Sequence, residues 1–193
     1  MEQIEQAFTL ALDDLYEADA ARQIAQRFID KHHVLARKTL EVQQVWGFLE
    51  QGVLWKFALA LQRLTQPASK DRASLPGIIK MIDRASVRGH IFSDYASIDR
   101  AKMAMDDPDL ETTRVALRTA RDAFIGHTLI GKHRRGTPII DLFEYIGKLS
   151  GIIDDLHYGV FGIYPDIDGH IANWDGYTRA WVDQVLPESE DEC

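Results

Sequence analysis

Cysteine is nearly absent from this chain of 193 residues, in which the only one is the final residue, Cys193. A single thiol cannot form a disulfide within the chain, so the sequence predicts a reducing, cytoplasmic location. No run approaches the roughly 20 apolar residues that a membrane helix needs, which argues against a membrane protein. The N-terminus is acidic and amphipathic rather than basic and apolar, so we also expect no signal peptide.

Glycine and proline are scarce before residue 126, where only four of the 13 glycines and three of the six prolines lie. Apolar residues recur there at helical spacing, and no segment alternates with the two-residue period of a strand. Helices are predicted over about 2–29, 34–64, 75–86, 93–105, 108–127 and 139–160, with a short one near the end. The sequence therefore predicts an all-α fold, an antiparallel helical bundle of about five to seven helices. We expect one domain, residues 1–193, with a disordered tail over 187–193.

Two sets of apolar residues define expected packing faces. The second long helix has an apolar side formed by Leu40, Val45, Phe48, Leu49, Val53, Phe57, Leu61 and Leu64. The four tryptophans, which lie at helical spacing among apolar neighbours, are Trp46, Trp55, Trp174 and Trp181. We expect these tryptophans to lie in the core rather than to stack on bases.

Charge is unevenly distributed along the chain. The net charge is −8, which argues against a general nucleic-acid binder. Residues 114–135, however, contain six basic residues and one acidic residue, for a net charge of +5. The basic residues are Arg114, Arg118, Arg121, Lys132, Arg134 and Arg135. A basic segment on an acidic chain suits one anionic ligand bound at one place.

The helix predicted over 108–127 leads into this basic segment. Asp107 and Pro108 indicate its start, because proline at the first helical position loses no needed hydrogen-bond donor. Its expected core face consists of Leu110, Thr113, Leu117, Ala120 and Phe124. Beside that face, three arginines are spaced at i, i+4 and i+7: Arg114, Arg118 and Arg121. Their mutual repulsion is offset either by solvent or by a bound anion.

The end of this helix reads Arg121-Asp122-Ala-Phe-Ile-Gly-His127. It resembles the Arg-polar-x4-His signature of the HEPN superfamily, helical domains that are often RNA-cleaving toxins or defence effectors. Within that superfamily the chain is most similar to the AbiU-like abortive-infection branch. That similarity includes an upstream segment with Trp55-Lys56, Leu61-x-Arg63-Leu64-Thr65 and Ser74-Leu75. The resemblance covers roughly residues 40–165.

The resemblance implies a metal-independent endoribonuclease of toxin–antitoxin or phage-defence type, with RNA as substrate and no cofactor. His127 would act as general acid or base, and Arg121 would stabilise charge on the phosphate. Asp122 would orient one of them. Flanking phosphates would be bound by Arg114, Arg118, Lys132, His133, Arg134 and Arg135. A possible partner is an antitoxin protein.

Six residues separate Arg121 from His127, which is about 240° around and about 9 Å along a straight helix, so the two side chains would not meet there. Gly126 can loosen the last turn, because glycine accepts non-helical backbone angles. Alternatively, the partners come from different chains, and we expect such a composite site. Cleavage by 2′-hydroxyl attack needs one group to take a proton and another to give one. A homodimer with these helix ends at its two-fold axis would supply two histidines and two arginines.

Other interpretations stay open. Arg121 and His127 also suit simple compensation of the helix dipole at a C-terminus. The chain is alternatively a non-catalytic HEPN-like module that binds a nucleotide or a partner protein. Asp154, Asp155 and His157 resemble half of a helical metal site, but no matching motif accompanies them, so no metal site is predicted.

Overall fold

A computed structural model of the chain describes residues 1–68, 73–125 and 139–186. For residues 120–125 and 139–141 the description is restricted to the backbone. The helices are α1 (Glu2–Asp30), α2 (His32–Leu35), α3 (Leu40–Thr65), α4 (Leu75–Val87), α5 (Tyr95–Met105), α6 (Pro108–Ile125), α7 (Ile139–Phe161) and α8 (Ile167–Val185). No strand occurs in these ranges, and every helix except the single-turn α2 has eleven residues or more. The all-α prediction is confirmed.

Short polar side chains cap the starts of α4, α5 and α8. The Ser74 hydroxyl accepts a hydrogen bond from the Gly77 amide at the start of α4. The Asp94 carboxylate caps α5, and the Asp166 carboxylate caps α8. Each oxygen satisfies an amide that has no partner within the first helical turn. Among the described helices, none combines the length and apolar character that a membrane-crossing segment requires.

The helices are divided between two compact units. Unit 1 comprises Met1–Leu15 and Ala58–Pro165, and unit 2 comprises Tyr16–Phe57 and Asp166–Cys193. Two helices, α1 and α3, contribute residues to both units. The single domain expected from the sequence stays a prediction.

The core of unit 1 centres on α7, whose inward residues Leu149, Ile153 and Leu156 are fully buried. Helix α5 packs along α7 at Gly159. A Cβ atom on Gly159 would lie 2.5 Å from Cγ1 of Ile98, so only glycine fits between the two helices. The Gly159 carbonyl also accepts a hydrogen bond of 2.9 Å from an amide that precedes α5.

The core of unit 2 is small and rich in aromatic residues. Phe28, Trp46, Val182 and Leu186 pack together, and the rings of Phe28 and Trp46 are 4.4 Å apart. Buried polar side chains lie in the same unit, including Gln23, which is 5% exposed.

The prediction that all four tryptophans lie in the core is right for Trp46 alone. Trp46 is 3% exposed and Trp55 is half-buried, whereas Trp174 is 37% and Trp181 is 42% exposed. On α8 the buried face passes through Val182, and Trp174 and Trp181 lie together on a neighbouring face. Helical spacing identified that stripe but not which of two apolar stripes is buried.

The apolar side predicted for the second long helix is likewise buried over only part of α3. Phe57, Leu61 and Leu64 are fully buried. Nearer the start of α3, Val45 is 61% and Phe48 is 76% exposed. Trp46 occupies the buried face at that end of the helix, which leaves the predicted stripe facing solvent.

Candidate functional site

Helix α6, which carries the first half of the Arg–His signature, begins at Pro108. The Asp109 amide donates a hydrogen bond of 2.9 Å to Oδ1 of Asp107, which satisfies one of the free amides at the helix start. This hydrogen bond, with a smaller contribution from Lys148, holds the pKa of Asp107 below its ordinary value. The carboxylate is therefore ionised at neutral pH, and its negative charge interacts favourably with the positive end of the helix dipole.

Helices α6 and α7 belong to the same unit, and Lys148 of α7 forms ion pairs at the start of α6. Nζ of Lys148 lies 3.4 Å from Asp107 and 3.8 Å from Asp109. Leu110 and Leu117 are 4% and 3% exposed, so the expected core face of α6 is confirmed at these two positions. These contacts fix the first turns of α6 against α7.

An open groove of about 250 Å³ lies between the two helices. Its walls are formed by Asp109, Thr112, Thr113, Glu144, Tyr145 and Lys148. Two carboxylates and one ammonium group give these side chains a net charge of −1, which does not favour a phosphate ligand. Sequence reasoning missed this groove, because Glu144 and Lys148 approach α6 only once α7 has folded against it.

Tyr145 forms the buried wall of this groove and is 3% exposed. Its hydroxyl is hydrogen-bonded to Thr65. The Thr65 hydroxyl donates its own proton to the Leu61 carbonyl at 2.9 Å, so Tyr145 is the donor to Thr65. Burial raises the pKa of Tyr145 above its ordinary value. Tyr145 is therefore protonated at neutral pH and suited to donate a hydrogen bond, not to act as a base.

The two arginines of the predicted phosphate-binding set whose side chains the structure describes differ in environment. Arg114 is half-buried and forms an ion pair with Glu111, three residues earlier on α6. Arg118 is exposed on the same helix. A phosphate at Arg114 would compete with the Glu111 carboxylate, whereas Arg118 faces solvent.

The remaining predicted site residues lie beyond the described side chains. Arg121 and Asp122 are in the part of α6 for which only the backbone is described. The other five, His127, Lys132, His133, Arg134 and Arg135, lie outside the described residues. The convergence of Arg121 and His127 therefore stays a prediction.

The possible metal ligands on α7 are engaged in other contacts. Nδ1 of His157 lies 2.8 Å from the Ile163 carbonyl, and its ring packs against Phe8. Asp155 forms an ion pair of 2.7 Å with Arg100. Within residues 1–68, 73–125 and 139–186, no group of three or more histidine, cysteine, aspartate or glutamate side chains is placed to hold a metal ion.

Comparison of the chain with protein-family models, curated proteins and solved structures finds no match. The resemblance to HEPN domains therefore rests on the residues quoted from the sequence.

Proposed function

We propose that this chain is a metal-independent endoribonuclease of toxin or phage-defence type, acting as a homodimer. One observation carries the proposal. The described backbone of α6 runs continuously from Pro108 to Ile125, so Arg121 and Asp122 follow exposed Arg118 on one helix. His127 comes two residues after Ile125, and this is the relation between helix and signature that the resemblance requires.

In the proposed reaction, the ribose 2′-oxygen attacks phosphorus and the bond from phosphorus to the 5′-oxygen breaks. One His127 imidazole accepts the 2′-hydroxyl proton, and the imidazole of the second copy gives a proton to the leaving 5′-oxygen. Arg121 stabilises the negative charge that grows on the phosphate oxygens. The products are a 2′,3′-cyclic phosphate and a 5′-hydroxyl.

RNA binding outside the reacting phosphate is assigned to Arg118 and to the basic residues that follow α6 in the sequence, Lys132, His133, Arg134 and Arg135. Contacts of this kind are independent of sequence and weaken as salt releases counterions from the RNA. An antitoxin protein that covers these basic residues would restrain the activity.

Growth arrest on expression tests the proposal most directly. Wild-type protein should arrest growth and leave cellular RNA with cyclic phosphate and 5′-hydroxyl ends, and His127→Ala should do neither. The matched control is His90→Ala, which removes an exposed histidine far from the signature in sequence. Equal arrest by wild type and His127→Ala would contradict the proposal, as would loss of cleavage on removal of divalent cations.

Subunit mixing tests whether the site is composite. Wild-type protein is mixed with increasing amounts of His127→Ala under conditions that allow exchange of subunits. If both histidines are required, activity follows the square of the wild-type fraction, because only wild-type pairs cleave. A linear decrease would show that one chain suffices, and the composite site would be wrong.

The groove between α6 and α7 favours a second candidate, a non-catalytic module that binds a nucleotide or a partner protein. Its hydroxyl and carboxylate groups suit the hydroxyls and ring edges of a nucleotide better than the phosphates of that nucleotide. Calorimetry with adenosine and guanosine tests this candidate. Binding that Glu144→Gln abolishes, together with absence of RNA cleavage, would favour it over the ribonuclease.

A further inference from the structure

The first half of α3 carries an apolar stripe that the described residues of unit 2 leave largely exposed. Val42, Val45, Phe48 and Leu49 are 41%, 61%, 76% and 40% exposed. On an ideal helix these four positions fall within a sector of about 120°. Buried Trp46 lies outside that sector and faces the core. We call these four residues the α3 stripe. Contiguous exposed apolar surface of this kind marks an interaction site in soluble proteins.

Gly52 lies in the same sector of α3, and no close packing among the described residues requires a glycine there. A Cβ atom at this position would meet no atom within 4 Å. Its φ is negative, so backbone conformation does not require glycine either. Glycine within a helix costs about 1 kcal/mol relative to alanine. The residue is explained if another surface approaches the α3 backbone closely at this point.

Two opposite charges bound the α3 stripe. Glu41 lies before it, in the first turn of α3, and Lys56 lies after it, on the same side of the helix. Nζ of Lys56 is 3.0 Å from Glu17, yet its side chain is 63% exposed and keeps donors for a second carboxylate. The α3 stripe therefore lies between Glu41 at one end and, at the other, the ion pair of Lys56 with Glu17, in which the ammonium group is the more exposed member.

The α3 stripe and its flanking charges are complementary to a second copy of the same surface that runs in the opposite direction. Glu41 and Lys56 are equally far from the point between Phe48 and Leu49, and so are Val45 and Gly52. When two copies of α3 lie antiparallel about that point, glutamate meets lysine and valine meets glycine. A parallel arrangement would instead place like charges together and valine against valine.

We propose that the α3 stripe is an interface between two copies of this chain, with their α3 helices antiparallel about a two-fold axis between Phe48 and Leu49. Such an isologous contact uses the same surface twice. The apolar residues supply the affinity, and the terminal charge pairs fix the direction of pairing. A single helix pair is a small interface, so we expect a dissociation constant on the order of micromolar.

This interface does not rest on the proposed ribonuclease. It involves α3 in unit 2, whereas the proposed site involves the end of α6. Either can be lost without the other, and the variants below separate the two.

Sedimentation equilibrium across roughly 1–200 µM protein tests the surface. Wild type should associate reversibly, and Phe48→Glu should lose one association step while its circular dichroism is unchanged. The variant should stay monomeric if α6 forms no pair, and should stop at a dimer if the proposed α6 pair forms. A wild-type monomer at every concentration would overturn the proposal. Association of Phe48→Glu with the same stoichiometry and dissociation constant as wild type would also overturn it, and would leave a dimer at α6 as the remaining explanation.

Charge reversal tests the direction of pairing. Glu41→Lys and Lys56→Glu should each weaken dimerisation by about 10-fold, because each places like charges together. The double variant should return to within about 3-fold of wild type, since the pairs are restored in reverse. The control is Glu50→Lys on the opposite side of α3, which should not change the dissociation constant. Failure of the double variant to recover would overturn the antiparallel arrangement.

Disulfide trapping tests the register. In a Cys193→Ser background, Val45→Cys mixed with Gly52→Cys should form a covalent dimer on oxidation. Neither variant alone should do so, because its own two copies lie seven residues, or about 10 Å, apart along the helices. Disulfides need Cα atoms within about 7 Å. Efficient self-linking of Val45→Cys would indicate parallel helices and overturn the proposal.

Discussion

The Asp94 carboxylate caps the start of α5, and its protonation affects the stability of the fold. It accepts hydrogen bonds from the Ala96 amide at 3.1 Å and from the Ser97 hydroxyl at 2.6 Å. The Ser97 hydroxyl is the main reason that the pKa of Asp94 lies below its ordinary value of 3.8. The ionised form is thus the one that the folded state favours.

We predict that Asp94 makes stability depend on acid pH. A depressed pKa contributes stability that is present above pH 3.8 and is lost as the pH falls through the lower folded pKa. Asp94→Asn still caps the helix, so it should unfold like wild type at neutral pH but lose less stability in that acid window. Asp94→Ala should lower the thermal midpoint at every pH. Thermal melts between pH 2 and 7 measure both effects, and identical acid profiles for wild type and Asp94→Asn would contradict the prediction.

Tyr145 makes stability depend on alkaline pH, and here stability is lost as the pH rises. Tyr145→Phe should lower the free energy of unfolding by about 1 kcal/mol at neutral pH, because the hydrogen bond to Thr65 is lost. A raised pKa contributes stability that is present below the ordinary value of 10.0 and is lost as the pH rises through the folded pKa. The difference between the two proteins should therefore shrink above pH 10. Tyr177→Phe, at a position 69% exposed, is the control and should change little. A difference independent of pH would show that the hydroxyl does not titrate as proposed.

Contacts between residues close together in the sequence can be predicted from it, whereas contacts between residues far apart in the sequence cannot. The pairing of Arg114 with Glu111 is an i, i+3 contact on one helix and is visible in the sequence. The bond between Tyr145 and Thr65 joins residues 80 positions apart, and nothing in the local pattern of either indicates it.

At the scale of helices, the contact of α5 with α7 depends on the absence of a side chain. Gly159→Ala should lower the free energy of unfolding by about 1–3 kcal/mol, because its Cβ atom would clash with Ile98 and with the Asp94 carbonyl. Gly151→Ala on the same helix meets no atom within 4 Å and should instead stabilise by about 0.5–1 kcal/mol. Urea denaturation of the two variants measures both changes. Shifts of the same sign would contradict this account of the contact.

Helix starts were predictable, but packing partners were not. The Asp107–Pro108 pair predicts the start of α6 at Pro108, and the helix predicted over about 75–86 begins at Leu75, after the Ser74 cap. Both signals act within a single turn. On α3 the period identifies an apolar side that is buried near the end of the helix, whereas the described residues of unit 2 leave Phe48 exposed. The end of α6, where the candidate site was predicted, depends on side chains beyond those described.

At the scale of the whole molecule, the tryptophans report on one unit. All four lie within residues assigned to unit 2, whereas far-ultraviolet circular dichroism reports on every helix. Because α1 and α3 contribute residues to both units, we predict that tryptophan fluorescence and circular dichroism give the same urea transition. A fluorescence transition at lower urea would show that unit 2 unfolds alone, and the prediction of a single domain would be wrong.

The buried amide of Gln23 has a consequence for how α1 and α8 align. Its nitrogen donates to the Ile171 carbonyl and its oxygen accepts from the Thr178 hydroxyl, two residues that lie two turns apart on α8. Sliding α8 by one turn would still bring apolar surfaces together, but it would take both α8 partners from the amide and leave it only Asp19 on α1, at about 1–3 kcal/mol for each unpaired group. Substitution of Gln23 by leucine would therefore affect which alignment forms more than how strongly the helices adhere.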